Sequence, residues 1–163
     1  MASLDSIMKP RSIAVVGAST KPNTIGSDLL KRLIEYGFTG KIYPVNPKGG
    51  VIEGLTAYPS VLDIPGDVDL AIIVVKNTFV LSTIDQCHEK GITGLVVISA
   101  GFKETDEAGA ALEKELAAKV KAYGMRCVGP NCLGVVNTDP AVRMDGCFAE
   151  SLPQRGDIGF VSQ

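Results

Sequence analysis

Ser12-Ile-Ala-Val-Val-Gly-Ala-Ser-Thr-Lys-Pro-Asn-Thr-Ile-Gly26 decides the reading of this chain. Its opening is short, apolar and rich in β-branched residues, and it ends on Gly17. That pattern predicts a strand buried on both faces. Further on, Ile25, Leu29, Leu30, Leu33 and Ile34 recur at helical spacing. Asn23 or Thr24 is placed to cap that helix and Gly37 to stop it. The unit is strand–loop–helix, and the loop has a physical reason to hold an anion. Gly17 follows the strand, the small Ala18 and Ser19 come next, and a helix N-terminus with free N–H groups lies close. Lys21 adds positive charge. The competing reading is an ordinary tight βα turn; the full strand–loop–helix context favours a phosphate cradle over residues 17–26.

The same alternation continues outward. Residues 41–45 read as the second strand, and 54–58 as a short extended piece before a turn at Pro59-Ser60-Val61. Residues 69–75 form the clearest buried strand. A helix follows from about Thr78, with Val80, Leu81, Ile84 and Cys87 inward and Gly91 as its stop. Residues 94–99 are another buried strand. Thr105 or Asp106 caps a helix carrying Leu112, Leu116 and Val120, with Asp106 and Glu107 at its start and Lys119 and Lys121 at its end, as the macrodipole favours. Gly124 closes it. Residues 126–128 and 158–161 read as two more strands, and 137–157 as an irregular segment wrapping the surface. Strands alternating with helices imply βαβ units. The expected fold is α/β: a Rossmann-like, doubly wound, mostly parallel sheet with helices on both faces. Ligands of such sheets bind beyond the C-terminal strand ends.

Bulk properties narrow the function. The 163 residues fit one domain, and 45% are apolar, enough for a core. The net charge of −2 comes without a basic stripe, which speaks against nucleic acid. No apolar run approaches the ~20 residues of a membrane span, and Met1-Ala-Ser-Leu-Asp5 lacks a signal-peptide pattern. A cytoplasmic location is expected. Cys87, Cys127, Cys132 and Cys147 contain no C-x-x-C pair, and His88 is the single histidine. No metal site is expected; the thiols read as reduced and mostly buried. His88 falls in the middle of an expected helix and reads as a structural or surface residue.

The choice of phosphate ligand turns on the loops. A dinucleotide fingerprint needs G-x-G-x-x-G and an acidic residue closing the second strand. After Gly17 the next glycine is Gly26, and the second strand closes with Val45-Asn46-Pro47-Lys48. No G-x-x-x-x-G-K-[ST] occurs either. A lysine at that strand end suits a ribose phosphate better than a free 2′-hydroxyl. This disfavours NAD and leaves NADP and coenzyme A, whose ribose carries a 3′-phosphate.

Five motifs stand in order: Ser12-Ile-Ala-Val-Val-Gly-Ala-Ser19, Tyr43-Pro-Val-Asn-Pro-Lys48, Ala57-Tyr-Pro-Ser-Val61, Val97-Ile-Ser-Ala-Gly-Phe102 and Gly129-Pro-Asn-Cys-Leu-Gly134. Together they resemble the CoA-binding domain of NDP-forming acyl-CoA synthetases, relatives of the succinyl-CoA synthetase α subunit. The resemblance covers about residues 4–163. Each motif alone is weak; the ordered set is specific.

The resemblance implies that CoA lies across the strand ends. Gly17, Ala18, Ser19 and Gly26 match the phosphate loop, with Lys21 beside it. Val45, Asn46, Pro47 and Lys48 match the segment at the adenosine and its 3′-phosphate. Val75 and Lys76 match a strand end where the family often carries proline, a departure that puts a lysine near the phosphates. Ser99, Ala100, Gly101 and Phe102 match the loop flanking the pantetheine arm, and Asn131 and Cys132 the loop near the thiol. The implied reaction is acid, CoA and NTP giving acyl-CoA, NDP and phosphate, through an acyl phosphate and a phosphohistidine. The phosphohistidine and ATP-grasp domains are the implied partners, and this chain has no counterpart of either. It is expected to be one domain over residues 1–163, with 1–11 as lead-in and a second α/β domain following in the family. No residue of it is expected to be catalytic. Cys132 lacks a neighbouring base in sequence, and Asp145 and Glu150 show no pairing for acid–base work. The alternatives are a stand-alone CoA-binding regulatory or carrier protein, and an NADP-binding redox domain.

Overall fold

The computed structural model describes residues 3–162; Met1, Ala2 and Gln163, the ends of the expected domain, lie outside the described residues. A four-residue helix, α1 (Asp5–Met8), precedes β1 (Ser12–Val16) and α2 (Ile25–Glu35). Then come β2 (Lys41–Val45), β3 (Gly50–Ile52), β4 (Leu55–Ala57), a single 3-10 turn (Val61–Asp63) and β5 (Leu70–Ile73). The chain continues through α3 (Asn77–Lys90), β6 (Gly94–Val97), α4 (Glu107–Ala122), β7 (Arg126–Val128), β8 (Gly134–Asn137) and β9 (Met144–Cys147).

β2, β1, β5, β6 and β7 form one parallel sheet in that order. The register sets Val16 beside both Val45 and Ile73. All five residues of β1 are buried, as are all four of β5 and of β6. Alternate residues of β1 supply opposite faces. Ile13 and Val15 meet Leu29, Leu30 and Leu33 of α2. Ala14 and Val16 belong to the other core, with Val80 and Ile84 of α3 and Leu116 of α4. Each fully buried leucine of α2 contributes about 1.5–3 kcal/mol by leaving water. The expected doubly wound α/β fold is present, with helices on both faces.

The helix ends follow local chemistry. Thr24 caps α2, its side-chain oxygen accepting from Ser27 N–H. Asp106 caps α4 by accepting from Gly109 N–H. Gly91 ends α3 in the left-handed region at φ +83°, where a side chain is disfavoured.

Two expectations are corrected. Residues 137–157 are not simply an irregular wrap. β8 and β9 pair as an antiparallel hairpin, and every residue of β9 is buried. The hairpin covers part of the α2 face beside the short α1, with Ile7, Met144 and Val135 packed into that core. Its signal was hidden because Met-Asp-Gly-Cys puts a carboxylate and a glycine inside a four-residue strand. The second correction concerns residues 158–161, read as a strand. They are unpaired coil, and Ile158, Phe160 and Val161 are 94%, 87% and 98% exposed. A short apolar run becomes a strand only where a neighbour supplies a ladder, and no described strand lies beside it.

Candidate functional site

β1 sits between β2 and β5, so the chain leaves β1 towards one edge and later returns past it to build the other. That switch opens a crevice at the C-terminal strand ends. The loops bordering the crest there contain the residues singled out from sequence.

The 17–26 loop is built around two glycines that admit no side chain. Gly17 has φ +100°, and a Cβ on it would stand 2.9 Å from Val74 O. A Cβ on Gly26 would stand 2.0 Å from Gly17 O. The backbone therefore folds tightly on itself ahead of α2, the form of a backbone anion cradle. Ala18 is fully buried in the α2-side core, so its contribution to a ligand is main-chain. Ser19 Oγ accepts from Lys21 N–H at 3.0 Å, and Thr24 Oγ1 donates to Lys21 O at 2.9 Å.

Neighbouring loops are laced to this one. Gly17 N–H donates to Val45 O at 3.0 Å. Asn46 Nδ2 donates to Ala18 O at 2.8 Å, while its Oδ1 accepts from Lys48 N–H at 2.9 Å. Val45 is a core residue; Pro47 and Lys48 are exposed. Lys21, Lys48 and Lys76 are all exposed, and among the described residues none of them makes an ion pair. Three unengaged cations on the loops after β1, β2 and β5, beside a side-chain-free cradle, fit a ligand with several phosphates.

The far half of the crest is less charged. Ser99 Oγ donates to Val75 O at 2.6 Å, and Asn131 N–H donates to Ser99 O at 3.0 Å. Ala100 is exposed and Phe102 fully buried, so Phe102 anchors the loop rather than facing it. The Gly129–Pro130 bond is cis, and Asn131 has φ +51°. Cys132 turns its thiol back towards Val97 O, at 3.4 Å. Burial raises its pKa, which disfavours the thiolate and a nucleophilic role.

The structure thus brings the residues of the 17–26, 45–48, 75–76, 99–102 and 131–132 segments to one end of the sheet. It also shows two members that sequence reasoning missed. Asn77 Nδ2 donates to Gly101 O at 2.7 Å. Glu104 Oε1 accepts from Gly101 N–H at 2.6 Å and Phe102 N–H at 3.1 Å, and these N–H groups hold its carboxyl below the usual glutamate range. A glutamate two residues past the buried loop residue Phe102 was the available signal for Glu104. His88 lies elsewhere, exposed in the last turn of α3 rather than its middle, and stacked on Tyr123 at 4.0 Å. No group of side chains fit to hold a metal occurs among the described residues.

Fold and crest together define a doubly wound α/β domain with a tight two-glycine turn at its switch point. Residues 11–138 match the family model described as a CoA binding domain. The chain belongs to that CoA-binding family, and coenzyme A is its ligand. It is 47% identical over 160 residues to the α subunit of ADP-forming acetate–CoA ligase II of Pyrococcus furiosus, covering 98% of this chain and 34% of that one. It is 44% identical over 157 residues to the ADP-forming 4-hydroxybutyrate–CoA ligase of Nitrosopumilus maritimus, covering 96% and 22%. The fold superposes with TM-score 0.84 and 44% identity on the dinucleotide-forming acetyl-coenzyme A synthetase 1 of Ca. Korarchaeum cryptofilum, solved with phosphate and ADP, covering 91% of this chain and 31% of that one. The chain therefore spans about a third or less of the length of these relatives. The NADP reading gives way to coenzyme A.

Proposed function

We propose that this chain is the CoA-binding module of an NDP-forming acyl-CoA ligase, and that its task is to place the CoA thiol for reaction in a neighbouring domain. The observation that carries the reading is the side-chain-free turn at Gly17 and Gly26, flanked by Lys21, Lys48 and Lys76 without ion-pair partners among the described residues. The turn formed by Gly17, Ala18, Ser19 and Gly26 would seat the phosphates, with Gly17 and Ala18 fixing its shape through their bonds to the 45–46 segment and Lys21 and Lys76 beside it. Asn46, Pro47 and Lys48, with Val45 behind, would meet the adenosine and its 3′-phosphate. Ser99, Ala100 and Gly101, anchored by Phe102 and Val75, would border the pantetheine arm, and Asn131 and Cys132 the thiol end. Bound CoA supplies a thiol nucleophile for acyl transfer. The chain's own contribution is orientation.

The crest has no pair of side chains arranged as nucleophile and base among the described residues, in keeping with bond-making groups on other domains. The partners in this reading are a phosphohistidine domain and an ATP-grasp domain, and the length of the relatives is what supports such additional parts. The location in this reading is the cytoplasm, where CoA ligases meet their substrates. Among the described residues no helix is long and apolar enough to cross a membrane.

Calorimetric titration with CoA and with 3′-dephospho-CoA tests the assignment. CoA is expected to bind about tenfold or more tightly, the worth of one charge-assisted phosphate contact. Lys48→Gln is expected to erase the difference. Equal affinities for the two ligands would remove Lys48 from the site, and no heat with either would overturn CoA binding.

A further inference from the structure

The two halves of the crest use their backbone donors differently. Around β1, β2 and β5 no carboxylate takes a loop N–H among the described residues, and the cations remain open. α2 is capped by the neutral Thr24 hydroxyl, α3 has no side-chain cap and no acid in its first turn, and three lysines stand without ion pairs among the described residues. Asp28, the acid of α2's first turn, lies on a groove with Lys31 and Arg32. Around β6 the chain fills its own donors with carboxylates. Glu104 takes the N–H groups of Gly101 and Phe102. Asp106 takes that of Gly109, with Glu107 beside it. Lys103 is paired to Glu113 at 3.3 Å.

Without Glu104, the 101–102 segment would resemble the 17–26 loop. Gly101 has φ +98°, two N–H groups converge on one point, and a helix follows. Such a nest attracts anions. With the carboxylate seated there, a phosphate would have to displace a charge-assisted pair and meet a like charge. The same residue is gripped from its other side, where Asn77 Nδ2 holds Gly101 O at 2.7 Å. A Cβ on Gly101 would fall 2.6 Å from that nitrogen. Both peptide groups of Gly101 are thereby fixed.

We propose that Glu104 is a positioning residue for coenzyme A. Seated on the Gly101 and Phe102 N–H groups, it holds the 99–102 loop in the form that borders the pantetheine arm, and it reserves that end of the crest for the uncharged part of the ligand. The phosphates are left to the 17–26 loop. The inference rests on the reading of the crest as a CoA site.

The test titrates the 163-residue chain and its Glu104→Ala, Glu104→Gln and Asn77→Ala variants with CoA and with adenosine 3′,5′-bisphosphate, which is CoA without its pantetheine arm and second 5′-phosphate. Glu104→Ala is expected to weaken CoA about tenfold, the scale of lost charge-assisted hydrogen bonds, and to leave the bisphosphate unchanged. Gln keeps the accepting oxygen and is expected to restore most of the affinity. Asn77→Ala, which releases the loop from its other side, is expected to show the same selective loss, and it carries the test if Glu104→Ala does not fold. Unchanged CoA affinity in the folded variants would overturn the inference, as would parallel loss of both ligands or a Gln variant as weak as Ala. Absence of CoA binding to the unsubstituted chain would overturn the CoA reading itself, with this inference.

Discussion

Gly26 shows how tightly single residues are constrained at the crest. A methyl group there would press within 2.0 Å of Gly17 O, a backbone atom that cannot swing aside. Gly26→Ala is expected to cost about 1–3 kcal/mol, the range for overpacking, and to weaken CoA. Urea midpoints and calorimetry read the two effects separately. Cys87 and Cys127 illustrate the opposite constraint, chemical silence. Burial pushes both thiols up to about 12. A disulfide-exchange reagent at pH 8 is expected to leave both unlabelled in the folded chain and to label both in urea, with peptide mass mapping as the readout. Glu104 is depressed by the N–H groups of Gly101 and Phe102. Its folded value lies below its unfolded value of about 4.3. Its stabilisation is therefore complete above that value and is lost as pH falls through the depressed one. Thermal melts of the native chain and Glu104→Gln are expected to differ above about pH 5 and to converge in stronger acid.

At the level of elements, caps and glycine stops were legible because they act through neighbours in sequence. Gly37, Gly91 and Gly124 were readable in advance, and the caps were narrowed to Asn23 or Thr24 and to Thr105 or Asp106, since an N-cap or a left-handed stop is a local device. Asp106→Ala is expected to cost about 1 kcal/mol, measured by urea unfolding. The β8–β9 hairpin was not legible, because what makes β9 a buried strand lies far away in sequence. Asp145 is fully buried, and its Oδ2 stands 2.9 Å from Arg32 Nη2 on α2. Its Oδ1 accepts from the Cys147 thiol at 3.0 Å. Nothing near Asp145 in sequence announces Arg32. Asp145→Ala is expected to cost about 3–5 kcal/mol, because it strands a mostly buried guanidinium. Arg32→Met with Asp145→Leu is expected to recover much of that loss. Chemical denaturation of the three chains compares them.

On the scale of the whole molecule, the parallel sheet was the most readable feature. Strands such as β1, β5 and β6 are buried on both faces and so appear as unbroken apolar runs. Residues 158–161 carry the same kind of pattern and yet stay unpaired and exposed, because pairing is a property of neighbours. The candidate site was legible to the extent that it resides in ordered motifs. Its interlocking was not. Asn77 with Gly101, and Ser99 with Val75, are joined across loops by backbone carbonyls, which carry no side-chain signature.

The clamp on α2 has a further consequence for how the chain is made. Arg32 donates to Ser151 O across 119 residues, and its carboxylate partner lies in β9. At ribosomal rates of about 5–20 residues per second, α2 emerges on the order of 10 s before the strand that completes its surroundings. Throughout that interval the guanidinium remains in water, and the flank that β9 will cover stays open. Synthesis order thus makes closure of this side one of the last events in the domain's maturation, and a nascent chain halted before β9 would carry α2 with that flank uncovered.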